Sequence, residues 1–294
     1  MVGVRCRPLF IRPSPVALPV LPHPHPDLPI GIFDSGIGGL TVAAALRRHL
    51  PAERLLYLGD VARQPYGTKT PKTVARYAAQ AARFLVGRGI KMLVVACNTA
   101  SAHGLEALAR AHPGLPLLGV VDAGARAAAE QTAGGGIVVA ATEGTCASGA
   151  FLRAIAARHP AARVTQVACP LFVALAEEGL TEGPIAEAMV EDYLGPRFGP
   201  DSDNDTLLLG CTHFPLMAPA LTAVLGAAIR LVDCGEAVAA EAAWLLAERG
   251  LAAPPSAIGG ITLTTTAEAD RFTRLASRLL AEGEASSAVE LVDL

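Results

Sequence analysis

Two apolar runs in this sequence end the same way. "MLVVACNTASA" (92–102) places Cys97, Asn98 and Thr99 directly after an aliphatic stretch, and "LLLGCTHFPLM" (207–217) places Cys211, Thr212 and His213 likewise. A lone cysteine at a strand end is most often a small core residue. A matched pair, each followed by polar side chains, points instead to two reactive thiols facing one another. A free thiol has a pKa of about 8.5, so it needs a donor or cation beside it to act as a base at neutral pH. His213, two residues after Cys211, and Asp34 are the candidates to relay protons. Cys6, Cys146, Cys169 and Cys234 read as ordinary core thiols.

Three further stretches carry polar residues where a ligand would sit. In "GIFDSGIGGL" a strand ends in Asp34 and Ser35 and passes through Gly36, Gly38 and Gly39 into a helix. Backbone N–H groups there can face an anion, or Asp34 can simply cap a tight turn. "GDVARQPYGTKTP" (59–71) is a polar loop in which Pro65, Tyr66 and Gly67 either cover a ligand or only make the turn. "ATEGTCASGAF" (141–151) sets Thr142 and Thr145 at a helix start, as N-caps or as hydroxyls for a carboxylate.

The elements that must position these residues alternate. Short apolar runs at 30–33, 54–59, 92–96, 117–121, 136–141, 163–168, 206–210 and 229–233 read as strands buried on both faces. Ala/Leu-rich segments at 38–50, 71–87, 101–111, 123–132, 146–158, 181–194, 215–226 and 235–249 read as helices between them. Such alternation means βαβ units, an α/β fold of open parallel sheets. The two cysteine motifs repeat strand, thiol, helix, as expected of two similar halves whose ligand lies at the carboxyl ends of the strands.

Composition narrows the chemistry. The chain has 294 residues, 52% of them hydrophobic, and a net charge of −3. That charge, with no Lys/Arg run, offers no footprint for nucleic acid. No uninterrupted apolar stretch of about 18 residues suggests a membrane span. The six cysteines lie far apart without CxxC or zinc spacing, which fits reduced thiols in a cytoplasm and no metal. Only Lys69, Lys72 and Lys91 are available for a Schiff base, which disfavours pyridoxal chemistry. Residues 1–29 hold eight prolines and read as a disordered extension, its His23 and His25 solvated rather than metal-bound.

Taken together, "GIFDSGIGGLTV", "YLGDVARQPYGTKTP", "VVACNTASA", "ATEGTCASGAF", "ACPLFVALAEEG", "LLLGCTHFPLM" and "LVDCGEAVA" resemble the glutamate racemases of the aspartate/glutamate racemase superfamily. The resemblance spans residues 30 to about 240 in the family's order. It implies an isomerase that interconverts L- and D-glutamate without a cofactor and feeds peptidoglycan synthesis. It also implies two pseudo-symmetric open-sheet α/β domains with the active site between them: 30–120 plus 230–294, and 121–229.

In that family's terms Cys97 and Cys211 are the two acid/bases, Asp34 assists Cys97, and His213 assists Cys211. Ser35, Asn98, Thr99, Thr142, Thr145 and Thr212 hold the α-amino and α-carboxylate groups, while Pro65, Tyr66 and Gly67 flank the side-chain end. An acidic residue of "LAEEG" belongs beside the second cysteine; Glu178 is the expected one, with Glu177 as the alternative. "VVDAG" (120–124) departs from the family's Glu-Pro-Gly turn. A homodimer is the implied assembly. Alternatives are an aspartate or other two-cysteine racemase, a Cys–His hydrolase with one nucleophile, and a regulatory protein that binds DNA gyrase.

Overall fold

The computed structural model describes residues 24–280 and 288–294. Most of the 1–29 segment, including Cys6 and His23, lies outside the described residues. Its last residues are tied down rather than loose: Lys91 Nζ donates to the Pro26 carbonyl (2.6 Å) and the Lys91 N–H to that of Pro29 (3.0 Å).

The chain alternates as expected. β1 (Ile30–Asp34), β2 (Arg54–Gly59), β3 (Met92–Val95) and β4 (Leu117–Gly119) are joined by α1 (Leu40–His49), α2 (Pro71–Gly87) and α3 (Asn98–Ala111). α4 (Val120–Gln131) then leads to β5 (Gly136–Ala141), α5 (Glu143–Ser148), α6 (Ala150–Arg158) and β6 (Arg163–Ala168). α7 (Pro170–Glu178), α8 (Pro184–Leu194), β7 (Asn204–Gly210), α9 (Ala218–Leu225) and β8 (Arg230–Asp233) follow. α10 (Cys234–Glu248), β9 (Gly260–Thr265), α11 (Ala269–Leu279) and β10 (Glu290–Leu291) complete the described chain.

The strands form two parallel sheets, β10-β9-β2-β1-β3-β4 and β6-β5-β7-β8. Alternate side chains serve different cores, which is why the strands are apolar throughout. From β1, Ile30 and Ile32 join a central core that also contains Ile137 and Val139 of β5, while Phe33 joins a second core beneath α2 and α3. A third core lies on the far face of the smaller sheet, under α7, α8 and α9.

Several local signals explain the helix ends. Pro71 opens α2 behind Thr70, whose Oγ1 accepts the Thr73 N–H at 3.3 Å. The expected single helix over 146–158 is two, α5 and α6, broken where Gly149 adopts a left-handed φ of 63°. Residues 230–233, expected in the first domain, form β8 and pair with β7 of the second sheet. Four elements lie outside the expected set: β9 with its run of threonines, β10, α7 and α11. Between the sheets the chain passes through α4 and α10, which pack on one another; a side chain at Gly124 would overlap Cys234 Sγ.

Candidate active site

Each strand that ends in a site residue delivers it to the same end of the parallel sheets. β1 ends in Asp34, fully buried; β3 leads to Cys97; β7 leads to Cys211. The turn after β1 holds Asp34 by the Gly36 N–H, which donates to Oδ2 at 2.9 Å. A Cβ on Gly38 would lie 2.6 Å from His213 Nδ1, so a bare backbone is needed where the two halves meet.

Cys97 caps α3, its Sγ accepting the Ala100 N–H at 3.5 Å and donating to Ser35 Oγ at 3.5 Å. Burial, with the Asp34 carboxylate adding, pushes its thiol up to about 12 despite the Ser35 and Ala100 bonds. Cys97 therefore rests as a thiol. Burial also lifts the Asp34 carboxyl above its usual range, opposed by the His213 charge and by backbone N–H groups of the turn. Thr212 Oγ1 donates to Asp34 Oδ1 at 3.5 Å, which ties the second cysteine loop to β1.

On the other side Cys211 Sγ lies 3.8 Å from His213 Nδ1. His213 Nε2 in turn lies 3.2 Å from Glu177 Oε1, at ion-pair distance but off the axis of a linear hydrogen bond. Burial alone would lower the imidazole's pKa; the bond to Cys211 and the Glu177 carboxylate outweigh it, and it is pushed up to about 10. Glu177 is held below its usual range, first by His213 and further by Arg271, whose guanidinium lies 3.5 Å from Oε2. Glu178 is not at the site: its side chain is 72% exposed against 17% for Glu177. On the helix α7 adjacent residues face different directions, and only Glu177 is turned toward His213.

Next to Cys97 lies a polar lining. Thr99, Thr142 and Thr145 form a triangle of hydroxyls, each 3.0 Å from the other two. Asn98 is buried, and both ends of its amide lack a partner, which suits it to a polar ligand. Gly67 packs so closely on this group that a Cβ there would lie 2.8 Å from Thr142 Cβ. Tyr66 is placed differently from expectation. Its ring is buried against Phe33 and Tyr77, and its hydroxyl donates to Asp60 Oδ2 rather than facing a ligand.

Asp60, which follows β2 directly with Arg63 three residues on, is a buried partner of the Tyr66 hydroxyl that residue type alone does not single out. Arg271 carries no signal in the sequence at all. A cavity of 260 Å³ opens between the Pro65–Gly67 turn and α7, lined by Gln64, Pro65, Gly67, Thr142, Val173 and Glu177 among others; Thr142 and Glu177 connect it to the groups around the two thiols. Among the described residues no three His, Cys, Asp or Glu side chains gather as a metal-ligand set.

The Asp/Glu/Hydantoin racemase family model matches residues 40–242. The chain belongs to that racemase family. A glutamate racemase of Geobacter metallireducens is 46% identical over 252 residues, covering 85% of this chain and 92% of that one. The glutamate racemase of Thermus thermophilus, solved with β-chloro-D-alanine, superposes with a TM-score of 0.81 at 42% identity, covering 92% of this chain and 98% of that one. The Francisella tularensis glutamate racemase, solved with D-glutamate, gives 0.83 at 32% identity, covering 91% and 98%. The racemase family accounts for the paired motifs, and its neighbours share the two-sheet α/β architecture. No described helix is long and apolar enough to cross a membrane.

Proposed function

We propose that this chain is a glutamate racemase working by two-thiol proton exchange at the α-carbon without a cofactor. The observation that carries the reading is the pair of buried thiols, one from each sheet, with the partnerless amide of Asn98 beside the first. Each thiol has its own helper group: Asp34 beside Cys97, and His213 with Glu177 behind Cys211.

Racemisation removes a proton from one face of the α-carbon and returns one to the other. Two thiols on opposite faces need only exchange protonation states. Resting Cys97 carries its proton, and Cys211 sits against an imidazolium. An enantiomer whose α-hydrogen faces Cys211 therefore meets the His213-assisted sulfur on one side and an acid on the other. The reverse direction needs Cys97 as thiolate. The substrate's α-ammonium, brought beside it, favours that form by charge. Positioned proton transfer contributes on the order of 10²–10⁴-fold. The rest comes from preorganised donors in a site without bulk water, here Asn98, Thr212 and the threonine triangle. The product D-glutamate serves peptidoglycan synthesis; the enzyme works in the cytoplasm as a homodimer.

The decisive experiment incubates the purified protein with L-glutamate in D₂O, without added cofactor. Loss of optical rotation accompanied by α-deuteration is expected. Unchanged rotation with no exchange would refute the reading. Light scattering at micromolar protein tests the dimer, a monomer mass counting against it.

A further inference from the structure

We infer that Asp60 is a positioning residue that sets the Pro65–Gly67 turn, and through it the depth of the cleft offered to a dicarboxylate substrate. The inference rests on the racemase reading above.

Asp60 is fully buried at the end of β2 and gathers donors from three places. Arg63 Nε donates to Oδ2 at 2.6 Å, Tyr66 donates its hydroxyl to the same oxygen, and Thr266 Oγ1 donates to Oδ1 at 3.0 Å. Thr266 also accepts the Ala62 N–H at 2.9 Å, so the residue after β9 clasps the loop twice. The Asp60 N–H donates to the Asp34 carbonyl at 3.0 Å, which fixes this hub relative to the first thiol's helper. A buried carboxylate so fully used is a fixed point.

What it fixes is the turn. Tyr66 cannot shift without giving up the Asp60 bond and its packing on Phe33 and Tyr77. Gly67, the next residue, rests on Thr142 and blocks a side chain at Gly144, whose Cβ would lie 2.7 Å from the Gly67 carbonyl. The turn thus walls one cavity together with Thr142 and Glu177 of α7, the residues that connect it to the groups around the thiols. The α-carbon chemistry belongs to Cys97 and Cys211. The substrate's far end is left to this wall, and Asp60 decides where the wall stands.

The test compares Tyr66→Phe and Thr266→Val with the wild type on glutamate and on the shorter aspartate. A hydrogen bond to a buried charge lost at Tyr66 raises KM for glutamate by about tenfold while kcat holds within about twofold. Thr266→Val, at the periphery of the hub, raises it by about threefold. Any aspartate turnover changes less, so the preference for glutamate narrows in both variants. Mere destabilisation would instead lower kcat with the folded fraction and leave KM alone. Unchanged KM and unchanged preference in Thr266→Val overturn the inference, even if Tyr66→Phe fails to fold. If the wild type itself does not racemise glutamate, it is the functional reading that has failed; a racemising wild type with unmoved variants refutes only the role of Asp60.

Discussion

His213 joins a buried thiol to a carboxylate, and its proton decides how the site answers pH. With its pKa pushed up to about 10, the stability it contributes is fully present below 6.5, declines as pH rises and is gone above that folded value. Cys97, pushed up to about 12, acts with the same sign but only above its ordinary 9.0. The urea midpoint is therefore expected to fall between about pH 7 and 9, and His213→Asn is expected to flatten that slope. A slope identical in the variant would disprove the assignment. Glu177→Gln should lower kcat/KM by about 10–100-fold and Glu178→Gln by less than about twofold, since only Glu177 reaches the imidazole. Cys97→Ser and Cys211→Ser should each cost about 10²–10⁴-fold. Because the enantiomers are equally stable, each loss must be the same in kcat/KM for both directions, and only kcat and KM separately can differ. Polarimetry from each enantiomer checks this. At this scale most of the candidate site is legible in the sequence, because strand-end cysteines with polar followers are local patterns. The choice between Glu177 and Glu178 is not, because it depends on the rotation of α7 about its axis.

The helices and strands matter here for how closely they let the two halves approach. Gly67 and Gly144 meet across the cleft with no room for a side chain. Gly144→Ala forces its methyl against the Gly67 carbonyl, a backbone atom that cannot swing aside. We expect overpacking of about 1–3 kcal/mol and at least tenfold lower kcat/KM, with an unchanged far-ultraviolet circular dichroism spectrum. Wild-type activity in this variant would show that the turn is free to move. Element types were largely readable from period and apolar runs; α2 and β5 stand at the expected bounds. β9 was missed because "GITLTT" reads as polar, yet Thr264 is buried with its hydroxyl donating to the Tyr57 carbonyl at 2.8 Å. The break between α5 and α6 is not legible, because a glycine inside a helical period does not announce a left-handed turn.

At the scale of the molecule, one buried ion pair binds distant parts of the first sheet's layer. Lys91 Nζ lies 2.6 Å from Glu53 Oε2 and donates to the Leu251 carbonyl at 2.8 Å, while Glu53 Oε1 accepts the Ala253 N–H at 2.7 Å. Lys91→Met strands the Glu53 charge and is expected to cost about 3–5 kcal/mol in urea unfolding. Adding Glu53→Leu should recover part of that loss; a double variant no better than the single would count against the pair's burial as the cause. Such long-range pairing is invisible in sequence, and so was the place of β8. A strand's sheet is chosen by its partner, and nothing in "RLVD" names β7.

The packing of α4 on α10 carries a consequence for how the two sheets are held together. These two helices are the covalent bridges between the sheets among the described residues, and they touch where Gly124 meets Cys234. Two bridges pressed side by side form one seam between the sheet that leads to Cys97 and the sheet that leads to Cys211. A bulkier residue at 124 would press on Cys234 Sγ and force the two helices apart, at the one place where both chain crossings meet.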